Sequence, residues 1–71
     1  MTRILGIDPG SRHLGWGVVD AEGSRMQHVA HGVIAPGARL PLPERLAEIF
    51  RALEEVGAQW EPQAAAIEQV F

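Results

Sequence analysis

An α/β domain of order β-β-β-α-β is the fold class that the sequence predicts, and three observations carry it. Two short apolar runs, Arg3 to Asp8 and Leu14 to Asp20, are each followed by a strong turn signal. Leu46, Ile49, Phe50, Leu53 and Val56 then recur at i, i+3, i+4, i+7 and i+10, one apolar stripe of a helix. A last apolar run, Ala64 to Val70, comes after that helix.

Each element has a local cause. Arg3-Ile4-Leu5-Gly6-Ile7-Asp8 reads as a strand buried until its final residue. Pro9-Gly10 turns the chain, with proline fixing φ and glycine tolerating positive φ. Leu14 to Asp20 is the second strand. Asp20-Ala21-Glu22-Gly23 is a hairpin turn with Gly23 suited to the left-handed position. Met26 to Ile34 forms the third strand and carries His28 and His31. Ala35 to Leu42 is a loop bearing proline and glycine. Pro43 then falls in the first turn of the helix, Glu44 favours its dipole, and Gly57 is a good stop.

Two tight hairpins make the first three strands an antiparallel meander. A helical crossover lets the fourth strand run parallel to the first, by the usual right-handed path. With those two strands as neighbours, Asp8 and Glu68 stand at adjacent carboxyl ends, although far apart in sequence.

Composition narrows the function classes. The chain has 71 residues, 46% hydrophobic and 21% charged, which is a globular balance in one small domain. No apolar run approaches the roughly 20 residues of a membrane span. The start shows no signal-peptide layout, and the absence of cysteine excludes disulfides and thiolate metal sites. A cytoplasmic protein is expected. Net charge is −3, with six arginines and no lysine, which by itself disfavours nucleic-acid binding. A chain this short without a staple, ending on Ile67-Glu68-Gln69-Val70-Phe71, is expected to be a fragment or to need a partner.

Two carboxylates at neighbouring strand ends suit hard divalent cations, which take oxygen ligands and relieve the repulsion between like charges. Asp8 is the candidate to bridge two ions and Glu68 to hold one. Two ligands are too few, so others must come from elsewhere. The plainer alternatives are that Asp-Pro-Gly is only a turn and that Glu68 only faces solvent. Gly10, Gly15 and Gly17 permit close approach of a ligand, or serve hairpin geometry alone. His13, His28 and His31 lack metal-ligand spacing, and three positions apart on a strand His28 and His31 should face opposite ways. Trp16 and Trp60 are expected to pack, whereas Phe71 could stack on a base.

Ile4-Leu5-Gly6-Ile7-Asp8-Pro9-Gly10-Ser11-Arg12 with Leu14-Gly15-Trp16-Gly17-Val18 resembles the opening motif of Holliday-junction resolvases of the RuvC type. Ala66-Ile67-Glu68-Gln69-Val70-Phe71 resembles their second motif, and Leu42-Pro43-Glu44-Arg45-Leu46 and Trp60-Glu61-Pro62 also fit. The resemblance covers essentially the whole chain. It implies the mixed sheet of the ribonuclease H-like fold, with residues 1–71 as the amino-terminal part of one nuclease domain and its carboxyl half missing. It further implies a homodimeric endonuclease that nicks four-way DNA junctions, using Mg²⁺ or Mn²⁺ at two ions per intact site, beside the branch-migration proteins RuvA and RuvB. Asp8 and Glu68 would be catalytic metal ligands, and Phe71, Ser11 and Arg12 would contact DNA. The family's two remaining ligands lie on a later helix absent from this sequence, so the chain alone is expected not to cleave.

Rival classes remain. The actin, heat-shock-chaperone and sugar-kinase superfamily shares the fold and opens with a similar Asp-x-Gly hairpin that cradles phosphates. Here Ser11 is followed by Arg12 and His13 rather than a hydroxyl-rich tail. A YqgF-type nuclease is disfavoured by the Glu-Gln-Val-Phe ending. The third alternative is a vestigial, non-catalytic product.

Overall fold

The apolar run at the start of the chain forms the expected strand, but only Leu5 of it is buried, because one sheet face is left uncovered among the described residues. The computed structural model describes residues 1–10 and 12–68. Strands β1 (Thr2–Pro9), β2 (Leu14–Glu22) and β3 (Arg25–Ile34) form the meander, α1 (Leu42–Trp60) crosses over, and β4 (Ala64–Ile67) returns. The strand order is β3-β2-β1-β4, with β1 antiparallel to β2 and parallel to β4. This is the mixed four-stranded sheet with one helix that the order of elements required. Among the described residues no helix is long and apolar enough to cross a membrane.

The β2–β3 hairpin closes through Gly23 and Ser24, since Glu22 pairs with Arg25. Gly23 has φ 59°, the sign that primed two-residue turns demand at that point. At the β1–β2 turn the Gly10 N–H donates to the His13 carbonyl at 2.9 Å. A Cβ on Gly10 would lie 2.6 Å from that oxygen, so only glycine fits.

Leu5, Val18 and Val56 are the buried core, and Ile7, Trp16, Val29, Ala30 and Trp60 pack around them. The helix therefore covers one face of the sheet. Among the described residues nothing covers the other.

Four expectations need correction. Gly57 does not stop the helix, which runs to Trp60 and ends with Glu61 in the left-handed region, its N–H donating to the Gly57 carbonyl at 2.9 Å. Leu42, expected in the loop, is its first residue. The apolar stripe is also rotated. With Val56 and Trp60 against the sheet, Phe50 lies roughly 120° around the helix from Val56 at 100° per residue. Leu46 and Phe50 are accordingly 45% and 65% exposed, while Ile49, Ala52 and Leu53 are half-buried. Periodicity identified the helix but not which edge of a wide stripe meets the sheet.

The fourth correction concerns β3. Val18 pairs with Ala30 and Val19 with His28, leaving Val29 as a bulge. The extra residue reverses the alternation, so His28 and His31 lie on one face.

Candidate metal centre

Arg3 anchors the start of the strand pair on which the site depends. Gln63 donates its backbone N–H to the Arg3 carbonyl at 2.8 Å, and its side-chain oxygen accepts the Arg3 N–H at 2.9 Å. The Arg3 guanidinium grips Asp20 through Nε and Nη2 at 2.9 and 3.0 Å, and donates from Nη1 to the Trp60 carbonyl at 3.1 Å. One side chain thus joins β1, β2 and the end of α1. The hydrogen bond from Arg3 holds the Asp20 carboxyl below its ordinary pKa, and the bond to Asp20 raises that of Arg3.

From this anchor the parallel pairing runs Ile4–Ala64, Leu5–Ala65, Gly6–Ala66 and Ile7–Ile67. The Glu68 N–H donates to the Ile7 carbonyl at 2.9 Å. Asp8 and Glu68 therefore come next in the same row, on strands about 4.8 Å apart. Residues facing the helix include Leu5 and Ile7, so strand alternation sends Asp8 and Glu68 to the open face. Both are exposed and line a shallow cleft of about 360 Å³.

The floor of that cleft is nearly free of side chains. Gly15 pairs with Asp8, Gly17 with Gly6, and Ala66 flanks Gly6 on β4. A Cβ on Gly6, Gly15 or Gly17 would meet nothing nearer than 3.8 Å, and none has positive φ. Neither backbone nor packing demands glycine there, although glycine weakens a strand interior. Gly15 and Gly17, two of the candidate sites of close approach, both lie beside the carboxylates.

The two carboxylates match the oxygen donors that a hard divalent cation takes. Among the described residues no group of three or more His, Asp or Glu side chains converges, so this chain offers a partial ligand set. Arg12 is exposed at the β1–β2 turn and lines a second groove of about 830 Å³ with His13 and Arg45. The Nε of Arg45 is buried there without a hydrogen-bond partner. Sequence reasoning passed over Arg45, and its position in the first helical turn gave no signal beyond charge. Ser11 and Phe71 lie outside the described residues.

The family described as crossover junction endodeoxyribonuclease RuvC matches residues 4–71. The relative of that description from Caulobacter vibrioides is 51% identical over 70 residues, 99% of this chain and 41% of its own length. One from Alkalilimnicola ehrlichii is 54% identical over 74 residues, 100% of this chain and 42% of the relative. This chain therefore spans about two fifths of the length of the curated relatives it matches. Among solved structures, Thermus thermophilus RuvC superposes with a TM-score of 0.82 at 34% identity, covering 96% of this chain and 45% of that one. The same enzyme in complex with a Holliday junction substrate gives 0.82 at 37% identity, with 97% and 45% covered. An Aquifex aeolicus PPX-GPPA enzyme, at 14% identity and a TM-score of 0.68, shows likeness of fold alone. With two motifs in register on a ribonuclease H-like half-sheet, the chain belongs to the crossover junction endodeoxyribonuclease RuvC family.

Proposed function

We propose that this chain supplies the amino-terminal half of a structure-selective endonuclease that resolves four-way DNA junctions in recombination and repair. The observation that carries the reading is the shared row of Asp8 and Glu68 on the open sheet face, in a chain of this family. The Thermus thermophilus relative, solved in complex with a Holliday junction substrate, supports the substrate class.

Asp8 and Glu68 are proposed as ligands of divalent cations, Mg²⁺ or Mn²⁺ at two ions per complete site. When bound, such ions activate water and stabilise the attacking and leaving oxygens of an in-line displacement. Asp8 would serve as the shared ligand and Glu68 as a ligand of one ion, as the resemblance implies. The remaining ligands come from outside residues 1–71, which here form part of a single nuclease domain. The Gly6–Gly15–Gly17 floor lets a phosphodiester strand lie close to the sheet. Arg12 and Arg45 offer donors to flanking phosphates, which offsets the acidic net charge locally. Ser11 and Phe71 are kept as DNA contacts on the resemblance alone. The complete protein is proposed to act as a cytoplasmic homodimer beside RuvA and RuvB.

A chimera tests the reading. This chain replaces the matching 70 residues of the Caulobacter vibrioides relative. Mg²⁺-dependent paired nicks in a synthetic four-way junction are the expected result. A folded chimera that binds junctions but never nicks them would sink it, and would favour the vestigial alternative.

A further inference from the structure

The bulge at Val29 has a chemical result on the edge strand. His28 Nε2 and His31 Nδ1 lie 2.9 Å apart, with ring centroids at 5.0 Å and planes tilted by 54°. Both side chains are exposed. A regular strand would have put them on opposite faces, and the register shift between Val18 and Val19 brings them together.

We propose that His28 and His31 form a two-histidine chelate for a divalent late transition ion that favours right-angle nitrogen ligation, Ni²⁺ or Cu²⁺. Metal–imidazole bonds are roughly 2.0–2.1 Å, so nitrogens 2.9 Å apart subtend about 90° at a shared ion. That angle suits tetragonal or octahedral coordination; a tetrahedral ion such as Zn²⁺ would need the nitrogens spread to roughly 3.3 Å. The rings are therefore already spaced for the ion. The ligand atoms are the two nitrogens now in hydrogen-bond contact, so binding requires that both be free of a proton and that the exposed rings turn until their lone pairs converge on the ion. Imidazole is a good donor for these ions and a poor one for Mg²⁺.

The chelate is separate from the carboxylate pair. His31 pairs with Gly17, and Gly17 with Gly6, two residues before Asp8. Strand spacing and rise put His31 and Asp8 roughly 12 Å apart, too far to share an ion. Among the described residues no third His, Asp or Glu joins the two rings, so water completes the shell. Ion binding at this pair does not depend on nuclease function. Because the ion selects the bulged register, it stabilises the native sheet by mass action.

The test is calorimetric titration of the chimera with Ni²⁺, counted as ions bound beyond the His28→Gln/His31→Gln double variant, followed by thermal melting. One ion per chain is expected, with a rise in Tm that excess Mg²⁺ does not reverse. His28→Gln and His31→Gln should each weaken binding at least tenfold and remove the rise, with circular dichroism unchanged; His13→Gln should leave both intact. Undiminished Ni²⁺ binding in the His28→Gln/His31→Gln double variant, or loss of binding in Asp8→Asn, would overturn the proposal. So would loss on His13→Gln alone.

Discussion

Gln63 is bound to Arg3 twice, by a backbone N–H at 2.8 Å and through its side-chain oxygen at 2.9 Å. The two residues are 60 apart, and parallel strands keep a constant offset. Five residues further along each strand stand Asp8 and Glu68. The polar clamp therefore anchors the start of β4, and the ladder from Ile4–Ala64 to Ile7–Ile67 carries the pairing on towards Asp8 and Glu68.

Gln63→Ala should cost about 1 kcal/mol, the net worth of a typical hydrogen bond. Urea denaturation of the chain measures it. A variant as stable as the parent would show that the edge pairing of β4 alone sets the register.

In the chimera, Asp8→Asn and Glu68→Gln should each lower nicking by about two to three orders of magnitude, the loss seen when one group stabilising transition-state charge is removed. Gel-shift affinity for the junction should survive. Retained Mg²⁺-dependent nicking in either variant would remove that residue from the site.

Two glycine substitutions should part company. Gly32→Ala places a Cβ 2.7 Å from the Trp16 indole on the packed face, and overpacking of this kind costs about 1–3 kcal/mol. Gly17→Ala meets nothing within 3.8 Å, so stability should hold or rise by up to about 1 kcal/mol. If the open floor serves a nucleic-acid strand, Gly17→Ala should nevertheless weaken junction binding by the chimera. Thermal melting and a binding isotherm separate the two effects.

Arg45 carries a buried Nε with no partner in the groove beside the β1–β2 turn. Arg45→Gln in the chimera should reduce the slope of log affinity against log salt by about 0.9, one phosphate contact on duplex DNA. An unchanged slope would leave Arg45 with a packing role only.

The Arg3–Asp20 pair should appear in acid stability. The Arg3 hydrogen bond lowers the folded pKa of Asp20 below its usual value near 3.9. Its contribution is full above that value and vanishes as pH falls through the lowered one. Asp20→Asn should therefore flatten the stability profile below about pH 4. Melting between acid and neutral pH checks it; identical acid limbs would contradict the linkage.

The element order, the parallel return of β4 and the meeting of Asp8 with Glu68 were legible in the sequence. Turn residues such as Pro9, Gly10 and Gly23 act through local backbone geometry, and Asp8 and Glu68 end strands whose neighbours follow from connection rules. The helix existed where its period said, yet Phe50 and Leu46 face outward, because the sheet chooses one edge of a stripe by long-range packing. His28 and His31 share a face only because Val29 bulges over the core, and a bulge belongs to a pair of strands. Arg3 reaching Asp20, Trp60 and Gln63 was equally invisible, since hydrogen bonds across β1, β2, α1 and the start of β4 exist only once those elements are assembled. Local chemistry wrote the elements, and the contacts between them fixed register, helix phase and which side chains meet.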